Sequence, residues 1–422
     1  MRPVKPAWLL LVLCAAASAQ PSSKEPLLSS TAKNQAVREL PPSFRARLSK
    51  PPELSLHPLN RAERALLAEP SRLARTGVHR NLPAGAPANG TWDTTSEGRQ
   101  IWRLVVHSPG STGIRVHFTE FSVGSGRVWL HDGIHAAGPY AGQGLFGNGT
   151  FWSDTVFSES VAIEYEPEDP DSTTVPFHLE KISHQVPAPV AASPTPALFA
   201  AATPPPDAAD ICHLDPNCYP DWQSSMKSVG QIVFEAEGVE ALCSGALVAT
   251  RDNNLKPYFM TAGHCVSTEE VARTVEAYWT YQTAGCGAPA PDRANSTKSS
   301  AGAHLLTASA LSGGDFSLLL LKDVPAGVTY AGWDFGTPPF LAPLTGIHHP
   351  KGSYKRISFG RRIGDAFVVI DNLQSPAPDY YQVLWDKGRT EPGSSGSPLF
   401  SGPGIIVGAL TYGPAMPGLS AC

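Results

Sequence analysis

Glu391-Pro392-Gly393-Ser394-Ser395-Gly396-Ser397-Pro398-Leu399-Phe400 is the stretch on which the reading of this chain turns. A serine hydroxyl is a poor nucleophile until a neighbouring base takes its proton. It also needs backbone N–H groups aimed at the oxygen on which negative charge develops. Glycines just before and after Ser395 let the main chain turn tightly enough, and Gly393 and Ser395 are the N–H donors expected of an oxyanion hole. A flexible Gly/Ser linker has a similar composition. Here, however, Pro398-Leu399-Phe400 leads straight into a strand, and linkers do not sit inside cores.

Two upstream segments supply what such a serine requires. Phe259-Met260-Thr261-Ala262-Gly263-His264-Cys265 is an apolar strand end running into a tight turn that presents a histidine, with a cysteine to anchor it. Gly313-Gly314-Asp315-Phe316-Ser317-Leu318-Leu319-Leu320-Leu321 sets an acid at the mouth of a strand that is nearly all apolar. A carboxylate buried there costs several kcal/mol unless a partner compensates it. Taken alone, His264 reads as a structural histidine, and the Asp315 segment fits a solvated turn acid as well as a site acid. The order histidine, acid, serine is the reverse of the Gly-x-Ser-x-Gly hydrolases, and no alternating helices are expected, so an esterase of that kind is a poor reading.

The rest of the chain sets the context. Over 422 residues, 32 basic side chains face 37 acidic ones, so no broad cationic face for nucleic acid is implied. The 41 prolines and 38 glycines suit many turns and a long linker, which favours an all-β chain. Arg2 and Lys5, the apolar run from Trp8 to Ala16 and the small residues Ala17-Ser18-Ala19 read as an export signal over 1–19. Cys14 admits a lipoprotein reading, which the bulky Leu13 before it opposes. Of seven cysteines, removal of the signal leaves Cys212, Cys218, Cys243, Cys265, Cys286 and Cys422, an even set that in an oxidising compartment favours disulfides over metal. None is spaced as a zinc knuckle, and sequence alone leaves all of their pairings open.

Composition divides the chain further. Residues 20–96 form a polar pro-segment in which 58–76 predicts a short amphipathic helix. Short alternating runs separated by Gly-, Ser- and Asp-rich turns make 97–186 a β-rich domain of sandwich type. Trp102, Trp129 and Trp152 in those runs read as core rather than as a carbohydrate platform. Residues 187–210 are rich in Ala and Pro and read as an extended linker. From 211 to 422 β-type runs return, now joined by the cysteines.

With these motifs in place, the chain resembles the chymotrypsin-like serine proteases, and more closely the bacterial lysyl endopeptidases. The residues that carry the likeness are Tyr258-Phe259-Met260-Thr261-Ala262-Gly263-His264-Cys265, His348-His349-Pro350-Lys351-Gly352 and Thr390-Glu391-Pro392-Gly393-Ser394-Ser395-Gly396-Ser397-Pro398, over about 211–422. The resemblance implies a double β-barrel protease domain made as a secreted precursor. In it Ser395 is the nucleophile, His264 the base and Asp315 the residue that orients the imidazole. It further implies disulfides Cys212–Cys422, Cys218–Cys286 and Cys243–Cys265, protein or peptide substrates, and the chain's own pro-region as a partner before maturation. No cofactor, metal, nucleic acid or mature membrane anchor is expected, and the protein is expected to be a monomer.

Specificity departs from the pattern. The position six before the nucleophile, often acidic in trypsin-like proteases, is Arg389. The relatives place an acid beyond the residue matching Cys422, where this sequence stops, 27 residues after Ser395. Glu391 is the candidate to attract a lysine or arginine side chain, with a solvated loop acid as its rival reading. Thr411, Tyr412 and Gly413 are expected to form the strand edge that pairs with substrate. Adjacent strand histidines point to opposite faces, so His348 and His349 read as structural. The rival class for the whole chain is a catalytically inactive secreted binding protein on a protease scaffold.

Overall fold

The computed structural model describes residues 27–28, 39–46, 48–69, 71, 73–187, 212–367, 369–370, 373–374 and 380–413. The expected signal peptide, the linker beyond 187 and Cys422 lie outside these residues. Short runs rich in β-branched and aromatic side chains, cut by glycine turns, become strands as their pattern predicts.

The first barrel orders its strands as Glu276–Tyr278, Val229–Ala236, Val239–Leu247, Tyr258–Thr261, Phe316–Leu321 and Ala303–Ser309, each paired antiparallel to the next. Ile232, Phe234, Leu247, Phe259 and Leu319 fill it. The second barrel is built from Pro343–His348, Arg356–Ala366, Tyr380–Lys387, Pro398–Gly402 and Ile405–Ala409, around Ile347, Ile357, Phe400 and Ile406. Together they are the chymotrypsin-like double β-barrel. Disulfides join Cys218 to Cys286 and Cys243 to Cys265. Cys212 is also disulfide-bonded.

The N-terminal part is a sandwich of two sheets. One contains Glu53–Ser55, Thr91–Thr94, Gln100–His107, Ser160–Glu166, Gly124–His131 and Ala136–Gly142; the other contains Ala74–Asn81, His178–Gln185, Gly113–Thr119 and Phe151–Trp152. Leu104, Val106, Leu130 and Ile163 meet Val116, Phe118, Leu179 and Ile182 between them. Trp102, Trp129 and Trp152 are all buried, so they offer no exposed aromatic platform.

The sequence boundary at 96/97 is not a structural one. The strands at 53–55, 74–81 and 91–94 belong to the same two sheets, since 53–55 and 91–94 pair with Gln100–His107 and 74–81 pairs with His178–Gln185. The expected helix is real but shorter, Arg61–Ala68, started by a capping box in which the Asn60 side chain accepts from the Glu63 N–H and the Glu63 carboxylate accepts from the Asn60 N–H. The second sheet does not end at the sandwich. Ala74–Asn81 pairs antiparallel with Val239–Leu247 of the first barrel, so one continuous sheet runs through both halves.

Candidate active site

Two paired strands bring the histidine and the acid together. Thr261 lies opposite Ser317 at the end of the ladder between Tyr258–Thr261 and Phe316–Leu321. The turn after the first strand and the turn before the second therefore emerge at one edge of the sheet. His264 and Asp315 sit on these turns. Asp315 Oδ2 lies 2.8 Å from His264 Nδ1, and Oδ1 accepts from the His264 backbone N–H at 2.8 Å. One carboxylate so fixes both the ring and the backbone that carries it. Asp315 is buried and holds a left-handed φ of 48°, a conformation that aspartate tolerates better than most residues. Gly263 is required by crowding, since a Cβ there would lie 2.2 Å from the Ser309 carbonyl oxygen.

Ser395 arrives from the second barrel, three residues before the strand Pro398–Gly402. Its carbonyl accepts from the Ser244 N–H at 2.8 Å. Gly396, at φ 76°, is pressed against the histidine turn: a Cβ there would be 2.2 Å from Thr261 Oγ1 and 2.5 Å from the Ala262 nitrogen. The serine loop and the histidine turn are thus in direct contact.

The peptide planes of this loop have a defined orientation. The Pro392 carbonyl accepts from the Lys351 N–H at 2.6 Å, and the Ser394 carbonyl from the Ser397 N–H at 3.0 Å. In a trans peptide the N–H points opposite to the C=O. The N–H groups of Gly393 and Ser395 are therefore turned away from these partners, and among the described residues neither donates a hydrogen bond. Gly393, at φ 95°, leaves no room for a side chain, because a Cβ would lie 2.6 Å from Leu242 Cδ1.

Several further residues support the site, and Ser244 among them carries no sequence motif of its own. Ser244 is the hub. Its Oγ donates to the Gly393 carbonyl at 2.9 Å and accepts from the His349 N–H at 2.9 Å, while its own carbonyl accepts from Thr261 Oγ1 at 2.8 Å. Its place beside Cys243, whose disulfide reaches Cys265 next to the histidine, is the one signal that could have marked it. His348 is buried between Ser394 Oγ, 2.8 Å, and Ser358 Oγ, 3.0 Å. Burial, reinforced by His213, pushes it down to about 3, so it is neutral. His349 stacks on Tyr281 and lies 3.1 Å from the Ser353 carbonyl. Cys243, His264 and Cys265 lie close enough to resemble a metal cluster, but the two sulfurs are spent on each other.

Glu391 is turned inward. Its carboxylate meets His213 Nε2 at 2.8 Å, Lys351 Nζ at 2.7 Å and Arg389 Nη2 at 2.7 Å. Burial opposes its charge, but hydrogen bonds from His213 and Lys351 outweigh that and hold it down at about 2. It buttresses the loop and leaves no carboxylate oxygen free for a substrate cation. Thr411, Tyr412 and Gly413 follow the last strand, which ends at Ala409, and are not themselves strand. The reason is that the partner ladder runs out at Pro398 opposite Ala409. Leu410 still bonds to Gly396 and Ser397, which keeps this segment beside the nucleophile loop.

A family model described as the lysyl endopeptidase C-terminal domain matches residues 206–421. The chain belongs to the lysyl endopeptidase family. A curated lysyl endopeptidase from Pseudomonas aeruginosa is 26% identical over 334 residues, spanning 74% of this chain and 67% of that protein. Among solved structures, the thermostable serine protease AL20 from an extremophilic microorganism is 17% identical, with 46% of this chain and 88% of that one covered at a TM-score of 0.33. A serine endoprotease from Yersinia pestis is 16% identical, with 44% and 54% covered and a TM-score of 0.30. Likenesses at TM-scores this low carry no argument about this chain.

Proposed function

We propose that this member of the family of serine endopeptidases hydrolyses peptide bonds through an acyl-enzyme, on the carboxyl side of lysine or arginine, after export as a precursor. The observation that carries the catalytic part is the Asp315 carboxylate bonded to both the ring and the backbone of His264, on a turn that touches the Ser395 loop. With Nδ1–H held by the acid, Nε2 carries the lone pair and is the base. Ser395 Oγ attacks the scissile carbonyl and its proton passes to Nε2. The tetrahedral oxygen is met by the Gly393 and Ser395 N–H groups, and Nε2 then returns the proton to the leaving amine. Water repeats the sequence on the ester and regenerates the serine.

The basic preference is supported by family membership and not by a free acid at Glu391. Export is supported by the disulfides and by the signal-like N-terminus. Labelling of the exported protein with a fluorophosphonate, beside Ser395→Ala, tests the activated serine. Labelling that vanishes in the variant is expected. A folded wild-type chain that resists the reagent would overturn the proposal, and paired lysyl and arginyl substrates then set the preference.

A further inference from the structure

We propose that the segment from Leu73 to Val78 occupies the leaving-group side of the chain's own active-site cleft, lying there as the second half of a peptide substrate would. This rests on the peptidase reading above and names what that site holds before maturation.

The evidence starts with strand Val239–Leu247. At one end, Ser244 bonds to the Ser395 carbonyl at 2.8 Å. Two residues back, Leu242 pairs with Ala74, and the ladder continues through Ala241 opposite Arg75, Glu240 opposite Gly77 and Val239 opposite Val78. At a rise of roughly 3.3 Å per residue, Leu242 lies about 7 Å along the strand from Ser244. The first residues of the inserted strand are therefore next to the nucleophile loop, and the later ones lead away from it. Leu242 itself packs against Gly393. The strand Ala74–Asn81 also runs beside the turn Pro350–Gly352, whose Lys351 N–H holds the Pro392 carbonyl.

Direction decides the half of the cleft. A leaving amine must depart on the side of the imidazole that protonates it. Leu73 packs in the cluster that holds Cys243 and Cys265, and Cys265 directly follows His264. Ala74 is buried among Val233, Leu242, Tyr278 and Tyr281. The segment thus begins on the histidine side, fills an apolar recess there and runs outward, with its N-terminal end towards the reacting centre. Addition of an extended strand to an exposed sheet edge is a general mode of peptide recognition, in which the main chain supplies affinity and alternate side chains supply selectivity.

The edge is shaped for this guest. Gly77 is squeezed between two strands, and a Cβ there would stand 3.0 Å from both Glu240 Cβ and the His184 carbonyl. Thr76 Oγ1 donates to Glu240 Oε1 at 2.9 Å, and Gln185 Nε2 donates to Glu240 Oε2 at 2.7 Å. The same edge, once vacated, is the binding surface for residues after the scissile bond. It favours a medium apolar side chain at the Leu73 position and a small one at the Ala74 position.

The test compares the full-length chain with Leu73→Asp and with the double variant Leu73→Asp, Ala74→Asp. Neither residue belongs to the sandwich core. Two substrates are used: a lysyl methyl ester, whose leaving group needs no recess, and a peptide extended four residues past lysine. The proposal expects at least a tenfold gain in kcat/KM for the peptide in the variants, with ester hydrolysis and fluorophosphonate labelling changed less than about twofold. The second measurement needs no catalysis. On a Ser395→Ala background, fluorescence anisotropy of the labelled peptide is expected to show tighter binding, again by at least tenfold, when the two aspartates are present. Equal peptide binding with and without them would overturn the strand assignment, whatever the labelling shows. Loss of labelling with retained gain of binding would instead sink the peptidase reading alone.

Discussion

Ser244→Ala is the perturbation whose consequences the structure specifies most closely. The hydroxyl is fully buried and makes two hydrogen bonds, one to the Gly393 carbonyl and one from the His349 N–H, both 2.9 Å. Alanine leaves both backbone partners in place without a mate. A buried polar group left in that state costs about 1–3 kcal/mol, so partial relaxation puts the loss near 2–4 kcal/mol in all. The effect on rate is separate. Gly393 is anchored on one side by the Ser244 hydroxyl and on the other by the Lys351 bond to Pro392, and removing the first lets its N–H tilt. Complete loss of one oxyanion donor lowers kcat about 10²–10³-fold; a tilted donor should cost about ten- to thirtyfold. KM should stay within about twofold, because the bond serves a charge that exists only in the transition state. The control is Ser228→Ala, another fully buried hydroxyl, which donates to the Ser225 carbonyl at 2.7 Å and bonds to neither Gly393 nor His349. Urea midpoints should fall in both variants, and kcat only in the first. A Ser244→Ala enzyme with wild-type kcat, or a Ser228→Ala enzyme that loses as much, would refute the reasoning.

Asp315→Asn should lower kcat about 10⁴-fold with little change in KM, since an amide nitrogen facing Nδ1 selects the tautomer that cannot act as base; steady-state kinetics on a lysyl ester check it. Glu391 gives a pH signature. Its folded value of about 2 lies below its ordinary 4.5, so its contribution is present above pH 4.5 and drains away as pH falls from there towards 2. The separation sets a ceiling near 3 kcal/mol, and solvent screening reduces this to about 1–2 kcal/mol. Urea midpoints across that window should converge with those of Glu391→Gln at the acid end, and parallel curves would count against the assignment.

The protease half was legible because its chemistry is local in sequence. His264, Asp315 and Ser395 each stand in a short segment whose glycines have a steric reason, and Gly263, Gly393 and Gly396 are all positions where a Cβ would collide. Glu391 was harder. A loop acid near a nucleophile looks available for substrate, and only the arrangement of His213, Lys351 and Arg389 around it shows where its charge is spent. His213 is 178 residues away in sequence, so no window of pattern could link them. The strands within 20–96 were hidden for a related reason. Polar strands such as Ala74–Asn81 lack the apolar alternation that marks a strand by itself, because their side chains are satisfied by a second domain.

The N-terminal sandwich explains an otherwise costly feature of the first barrel. Glu235, Glu240 and Glu276 are all buried on the face that meets the sandwich. Arg115 Nη1 reaches Glu235 at 3.2 Å, His79 Nε2 lies 2.8 Å from the same carboxylate, and Thr155 donates to Glu276 through its N–H and its hydroxyl at 2.9 and 2.6 Å. Arg293 Nη2 returns the contact by donating to Gln185 at 3.1 Å. Burying three acids on one face is unfavourable unless each is met, and burial with the nearby Glu235 charge pushes Glu240 up to about 7. An apolar seam would have held the two domains more cheaply, but it would have left a greasy face on the protease once they parted. A seam of carboxylates behaves differently. On the proposed maturation, departure of the sandwich would return these acids to water, leave a polar surface and recover much of the desolvation that closing the seam cost. Such an interface suits a partner that must bind in the right register, hold the cleft edge and then go.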